Sequence, residues 1–230
     1  MKEQRQSAPR NRVGARISSE SPFITYGIIA VTVFVFLLQL IPGLGVTNAL
    51  LYAGVYSDPA FGPIEPWRMI TAVFVHSQSF FFHILLNMYT LWIFGRMLES
   101  MLGHWRFLAL YLISGFAGSL AVQFLADPRM AVVGASGAIF GLLGAFLVIQ
   151  RRLGGNTTGL LVLLGINLVI GFIPSINIAW QAHVVGLVAG AIIGLILVNT
   201  RKVSQKSAQV GGLVGLSVLL VAASIVPALV

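Results

Sequence analysis

Ser136 stands out in this chain because its hydroxyl lies among small residues, in the stretch GASGAIFG from Gly134 to Gly141. A serine that attacks a carbonyl needs a base for its proton and hydrogen-bond donors for the developing charge. His183 is the candidate base. His83 and Asn87 are four residues apart, so on a helix they share one face and both present side-chain donors. Each residue also has an ordinary explanation, since buried serines and polar pairs often only join helices.

The chain around these residues is strongly apolar. Of its 230 residues, 57% are hydrophobic and 9% are charged, whereas soluble domains carry about a quarter charged residues. Apolar runs of about 20 residues recur along the chain, which is typical of a multi-span membrane protein. We therefore predict an all-α, polytopic membrane helix bundle. Its seven predicted spans are roughly 22–41, 79–97, 105–125, 136–150, 158–173, 177–199 and 209–229.

The remaining segments are short or polar. Residues 1–20 are polar and basic, so we expect a flexible cytoplasmic tail. A long connection covers residues 42–78, and its end from Trp67 to Val75 is too short to span a membrane, so we expect it at the interface. The chain has no cysteine, which excludes disulfides, thiolate catalysis and Cys-ligated metals.

The basic residues predict the orientation. With the N-terminus in the cytoplasm, twelve of the 14 Lys and Arg residues fall on the inside, and Arg68 and Arg129 fall outside. The net charge of +8 therefore reports orientation, and we expect no nucleic-acid partner. Seven spans place the C-terminus outside.

Ser136 and His183 are predicted to lie at similar depth. Ser136 is roughly 20 Å from Ile149, near the inner end of the fourth span, at the rise of an α-helix. His183 is about 22 Å from Val198, near the inner end of the sixth span, by the same rise. Both side chains then lie in the outer half of a hydrocarbon core that is about 30 Å thick.

Two glycine-lined faces allow these spans to approach each other. Small residues spaced four apart let helix backbones come close. If the two faces meet, the Ser136 hydroxyl reaches the His183 ring. The glycines are Gly137, Gly141 and Gly144 in the fourth span, and Gly186, Gly190 and Gly194 in the sixth.

No Asp or Glu lies within the interior of a predicted span. A Ser–His–Asp triad is therefore not available, and the residues allow a Ser–His dyad in which His183 is neutral. Because Ser136 begins a helix, the N–H groups around it lack intrahelical partners and suit a developing oxyanion.

Four sequence pieces, in the same order along the chain, resemble the rhomboid family of intramembrane serine proteases. GASGAIFG is similar to the G-x-S-G nucleophile motif, and HILLN at 83–87 to the H-x-x-x-N element. AHVVGLVAG at 182–190 resembles the histidine helix, and PWR at 66–68 stands where the family has a Trp-Arg pair. The resemblance covers about residues 22–200, and the combination is far more specific than G-x-S-G alone.

The resemblance implies roles for these residues. Ser136 would be the nucleophile and His183 the base, while His83, Asn87 and the Ser136 backbone N–H would form the oxyanion hole. Some members have a tyrosine where this chain has Phe140, so stacking on the histidine is kept and the phenol is lost. Other residues would support the site: Gly134, Gly137, Phe140, Gly186, Gly190, Trp67 and Arg68.

The resemblance also implies the architecture and the substrate class. Residues 21–200 would form a six-helix rhomboid core, and 201–230 an additional seventh transmembrane helix. The substrates would be transmembrane proteins, cut in or near the membrane at a small residue with helix-breaking residues nearby. We expect no cofactor or metal. The protein would be a multi-pass protein of a bacterial cell membrane, in contact with the lipid bilayer, and its site would open to the outside.

Access to such a site needs a gate for substrate and water. The 42–78 connection, the outer end of the fifth span and the segment Pro174–Asn177 are the candidates, and the sequence does not choose between them.

Two other functions remain open. A transporter would carry polar residues along a path through the membrane, whereas here they cluster at one depth. The alternative within the family is a catalytically inactive rhomboid-like factor that binds membrane proteins. Such relatives lack the serine or the histidine, and this chain has both.

Overall fold

The computed structural model of the chain describes residues 21–173 and 178–229. The tail predicted at residues 1–20 and the candidate gate Pro174–Asn177 lie outside the described residues. The first half of the described chain contains α1 (Phe23–Gln39), α2 (Val46–Leu50), α3 (Arg68–Thr71), α4 (Phe82–Thr90) and α5 (Arg96–Leu102). The second half contains α6 (His104–Leu125), α7 (Ser136–Arg152), α8 (Thr158–Gly171), α9 (Trp180–Asn199) and α10 (Lys206–Ser224).

The apolar exterior is that of a membrane protein. Three segments are long and apolar enough to cross a membrane, namely α6, α9 and the stretch Val203–Ala228 that contains α10. The helices α1 and α8 are apolar but shorter. Large apolar side chains face outward, with Val169 of α8 and Leu219 of α10 each 66% exposed. Soluble proteins rarely expose apolar surface on this scale, so we treat the molecule as a helical membrane bundle.

Several helix boundaries differ from the predicted spans. The second predicted span continues from α4 through a π-helical turn, Leu91–Gly95, into α5 and ends at Leu102. The last helix begins at Lys206 rather than at 209 because a buried amide extends it into polar sequence. Gln209 is 1% exposed, accepts a 2.7 Å hydrogen bond from Arg106 Nε and donates one of 3.2 Å to the Thr200 carbonyl.

Most of the segment 67–75, which is expected at the membrane interface, is buried inside the bundle. The helix α3 and the 3₁₀ turn Ala72–Phe74 pack into the interior, and the side chains of Met69 and Val75 are fully buried. Ser119 of α6 donates a 2.8 Å hydrogen bond to the Met69 carbonyl. Met69 and Ala72 of the segment pack with Leu120 and Val122 of α6.

The helices α6, α7 and α9 form the centre of the bundle, and glycines bring α7 against α9. A Cβ added to Gly186 would overlap the carbonyl of Gly137, and one added to Gly190 would overlap that of Gly141. A Cβ on Gly194 would lie 3.0 Å from the Cα of Ala145. The two backbones therefore touch along the glycine faces that the spacing predicts, which leaves one relative placement for the two helices.

The start of α1 is held by a buried carboxylate on α5. Glu99 is 1% exposed and accepts hydrogen bonds from the backbone N–H groups of Ile24 and Thr25, at 3.0 and 2.8 Å. It also accepts one from the Thr25 hydroxyl at 2.6 Å and contacts His104 Nδ1 at 2.5 Å. Because first-turn N–H groups lack intrahelical partners, this carboxylate caps α1 and fixes it against the bundle.

Candidate active site

The side chains of Ser136 and His183 meet between α7 and α9. Ser136 Oγ lies 2.8 Å from His183 Nε2, which is the distance of a hydrogen bond between a hydroxyl and an imidazole nitrogen. Ser136 is the first residue of α7 and is half-buried, while His183 lies in the first turn of α9 and is 8% exposed. The glycine contact between the two helices places both residues, because it sets the separation and the register of their first turns.

Phe140 sets the plane of the His183 ring. The two rings are stacked, with centroids 4.3 Å apart and an interplanar angle of 12°. The other ring nitrogen, Nδ1, is buried and has no hydrogen-bond partner among the described residues. The orientation that a carboxylate gives to the histidine of a catalytic triad therefore comes here from stacking.

The turn before Ser136, which leads into α7, has an unusual backbone conformation. Gly134 has a φ of +123°, a conformation that side chains other than glycine rarely adopt, and its N–H donates a 3.0 Å hydrogen bond to the Ala72 carbonyl. The turn is thus pinned to the buried segment that follows α3. The N–H of Ser136 belongs to the first turn of α7, where N–H groups have no acceptor within the helix. It is therefore available to an oxyanion.

His83 faces this turn from α4. Its Nδ1 accepts a 3.3 Å hydrogen bond from the Ser77 N–H, so in the neutral ring Nε2 carries the proton. A Cβ added to Gly134 would lie 2.8 Å from both Cε1 and Nε2 of His83. The protonated edge of the ring therefore lies against the turn that precedes Ser136, and only glycine leaves room for it.

Asn87 lies one turn further along α4, on the same face. It is 8% exposed, and Nδ2 donates a 2.7 Å hydrogen bond to the His83 carbonyl. A side-chain amide has two N–H donors, so this bond leaves the second hydrogen for another acceptor. The bond to the His83 carbonyl also fixes the rotamer of Asn87. Binding of an acceptor would therefore cost this side chain less conformational entropy.

Trp67 and Arg68 lie between α2 and α4, and the Arg68 side chain binds residues that precede it in this part of the chain. Its guanidinium donates to the Asn48 and Leu51 carbonyls at 2.7 and 3.1 Å and binds Glu65 at 2.6 Å. Trp67 is 55% exposed. The Arg68 hydrogen bonds therefore tie the start of α3 to α2 and to the residues on either side of the connection.

His76 is a site neighbour that the sequence reasoning missed. It lies in the connection before α4, is fully buried, and its ring centroid is 5.1 Å from that of His83. Its Nε2 accepts a hydrogen bond of 3.4 Å from the backbone N–H of Ala135, the residue before Ser136. Burial, followed by the neighbouring His83, lowers the pKa of His76, against a smaller opposing effect of the Phe74 backbone. A histidine at the end of the apolar run from Ala72 to Val75, a few residues before α4, was the available signal.

A cavity of about 260 Å³ opens where α8 ends and α9 begins. Its walls include Met130, Gly171 and Phe172 at the end of α8, and Trp180 and Gln181 at the start of α9. A Cβ on Gly171 would lie 3.8 Å from His183 Nδ1, so the end of α8 borders both the cavity and the histidine.

Comparisons with known proteins agree on one family. The model of the rhomboid domain matches residues 63–200. The chain is 35% identical over 192 residues to rhomboid protease GluP of Bacillus subtilis, covering 81% of this chain and 37% of that protein. It is 38% identical over 143 residues to RHOMBOID-like protein 5 of Arabidopsis thaliana, covering 58% and 44% of the two chains. Rhomboid protease GlpG of Haemophilus influenzae is 28% identical over 185 residues, covering 78% and 93%. The chain thus spans less than half the length of the first two relatives.

Proposed function

Because the chain belongs to the rhomboid family, we propose that it is an intramembrane serine endopeptidase that uses Ser136 and His183 as a catalytic dyad. The observation that carries this proposal is the 2.8 Å contact between Ser136 Oγ and His183 Nε2. An unprotonated imidazole nitrogen at this distance is in reach of the hydroxyl proton, which is the first requirement of a general base.

The first half of the proposed reaction forms an acyl-enzyme. Ser136 Oγ attacks the carbonyl carbon of the scissile peptide, and its proton passes to His183 Nε2. The carbonyl oxygen becomes an oxyanion, which His83 Nε2–H, the second amide hydrogen of Asn87 and the Ser136 N–H stabilise. The C–N bond then breaks, and His183 gives its proton to the leaving amine.

The second half returns the free enzyme. A water molecule transfers a proton to His183 Nε2 and attacks the ester carbon, and the same donors hold the second oxyanion. The ester C–O bond breaks, Ser136 Oγ regains a proton from His183, and the carboxylate product leaves. The cavity beside His183 supports this step, since it offers space for water at the end of the bundle that holds the dyad.

We further propose that substrates are transmembrane proteins that enter from the lipid with a segment able to unwind. The exposed apolar surface of α8 and the cavity at its end support entry past this helix. The architecture proposed for this function is a six-helix core at 21–200 with α10 as a seventh helix.

The orientation proposed for the enzyme puts the dyad near the outer face of a bacterial cell membrane, with the N-terminus in the cytoplasm and the C-terminus outside. Ser136 is at one end of α7, and Arg151 and Arg152 are in its last turn, roughly 22 Å away by the helical rise. Arg201 lies just after the end of α9, and Lys206 is the first residue of α10. A basic end opposite the dyad is what the positive-inside rule expects of an outward-facing site.

The deciding experiment treats the purified protein in detergent with a fluorescent fluorophosphonate, beside the Ser136→Ala and His183→Ala variants. Labelling of the wild-type protein that both substitutions abolish supports a serine activated by histidine. Labelling that persists in Ser136→Ala would refute the assignment of the nucleophile. Absence of labelling from folded wild-type protein would favour the binding-only alternative.

A further inference from the structure

We propose that His76, held in place by Gln39, is a positioning residue for both halves of the site: the turn that presents Ser136 and the ring of His83. The inference rests on the proposed function and deepens it. It is carried by contacts between the end of α1, the start of α7, and the stretch formed by α4 and the connection before it.

Gln39 holds the backbone of His76 from the last residue of α1. Its Oε1 accepts a 3.0 Å hydrogen bond from the His76 N–H, and its Nε2 donates one of 2.8 Å to the His76 carbonyl. One side-chain amide thus satisfies both backbone groups of the same residue, as the neighbouring strand would in a sheet. Gln39 is 6% exposed and His76 is fully buried, so water does not compete for these bonds.

The ring of His76 connects the backbone that Gln39 holds with the turn before Ser136. Its Nε2 accepts from the Ala135 N–H at 3.4 Å, which requires the neutral tautomer with the proton on Nδ1. Ala135 lies between the strained Gly134 and the nucleophile Ser136. Ala135 N–H precedes α7 and has no helical acceptor of its own, so His76 supplies an acceptor for a buried donor.

The same ring also supports His83. The two imidazoles lie with centroids 5.1 Å apart and are inclined by 53°. His83 in turn presses against Gly134. His76 therefore contacts the nucleophile turn directly through Ala135 and indirectly through His83. A shift of His76 would change the distance between Ser136 and the proposed oxyanion donor.

The test compares two substitutions of His76 that differ in one property. His76→Leu removes the acceptor for Ala135 N–H, whereas His76→Gln places an amide oxygen near the position of Nε2. Gln39→Met keeps the length of the side chain and removes both bonds to the His76 backbone. Thr32→Val is the matched control, since Thr32 is also buried on α1 and its hydroxyl has no partner among the described residues.

The first readout is fluorophosphonate labelling, analysed as the maximal rate constant kinact and the half-saturating concentration KI. We expect His76→Leu and Gln39→Met to lower kinact by about tenfold or more, as a misplaced oxyanion donor does, with KI within about threefold of wild type. His76→Gln should recover most of kinact, and Thr32→Val should match the wild type. An unchanged kinact in His76→Leu, or equal losses in His76→Leu and His76→Gln, would overturn the proposal.

The second readout is independent of catalysis. Amide hydrogen exchange at Ala135 should be slow in the wild type and in His76→Gln and faster in His76→Leu, while exchange in the middle of α9 stays the same. Slow exchange at Ala135 in His76→Leu would overturn the positioning role even if the wild-type protein does not react with the probe. A missing reaction in the wild type, with the expected exchange pattern, would count against the proposed function and leave His76 as the anchor of the turn.

Discussion

The ring of Phe140 stacks on the ring of His183, with centroids 4.3 Å apart and an interplanar angle of 12°. Since Nδ1 of His183 has no hydrogen-bond partner among the described residues, this contact is the main restraint on the plane of the imidazole. The two residues lie on different helices, so the stack also holds α7 against α9.

We predict that Phe140→Ala lowers the kinact of fluorophosphonate labelling by about five- to tenfold, because an aromatic pair contributes about 1 kcal/mol beyond the area it buries. Phe140→Tyr keeps the ring and should retain the rate within about threefold by the same argument. Labelling kinetics of the two variants, at equal folded fraction, check this prediction. Equal rates in Phe140→Ala and the wild type would mean that another contact orients His183.

The sequence was sufficient for the parts of the molecule that repeat with a helical period. Apolar runs located the long helices, and glycines spaced by four predicted the contact between α7 and α9. The start of α10 was not predictable from hydropathy, because a buried hydrogen bond between Arg106 and Gln209 keeps polar residues helical there.

The parts of the site that the sequence did not reveal are held by long-range polar contacts. Gln39 and His76 pair across 37 positions, and His76 reaches Ala135 across 59. No local pattern encodes such pairs, since each depends on how three helices pack. The hydrogen bond between Asn87 and the His83 carbonyl is local. The spacing of four residues predicts that both lie on one face of a helix, but it does not predict which acceptor the Asn87 amide binds.

The contact between Gly134 and His83 leads to a second prediction. We expect Gly134→Ala to lower kinact by about 100-fold, because its Cβ would lie 2.8 Å from Cε1 and Nε2 of His83 and displace a proposed oxyanion donor. Gly154→Ala is the matched control, since Gly154 also has a positive φ, +75°, but no atom within 4 Å of an added Cβ. Both variants should lose about 1–2 kcal/mol of stability from backbone strain, and only Gly134→Ala should lose labelling. Similar labelling losses in both would point to strain rather than to His83.

A third prediction concerns the second amide hydrogen of Asn87. Asn87→Ala should lower kinact by about 100- to 1,000-fold and leave KI nearly unchanged, the result expected when a donor acts only on the developing oxyanion. Asn167→Ala is the control, because Asn167 on α8 makes the same bond to the carbonyl four residues earlier, at 2.8 Å, but its side chain is exposed. If the two variants label equally fast, Asn87 is a structural residue of α4.

The fourth prediction concerns folding rather than chemistry. Gly190→Ala should prevent α9 from packing on α7, because the added Cβ would overlap the backbone of Gly141 and no side chain can move to make room. Gly215→Ala on α10 is matched in residue type and helical setting, but an added Cβ there meets nothing within 4 Å. Alanine has the higher helix propensity by up to about 1 kcal/mol, so Gly215→Ala should be neutral or slightly stabilising. Thermal unfolding in detergent should separate the two variants, with Gly190→Ala melting well below the wild type and Gly215→Ala at or above it. A wild-type melting temperature for Gly190→Ala would show that α7 and α9 can separate without cost, and the 2.8 Å contact between Ser136 and His183 would then need another explanation.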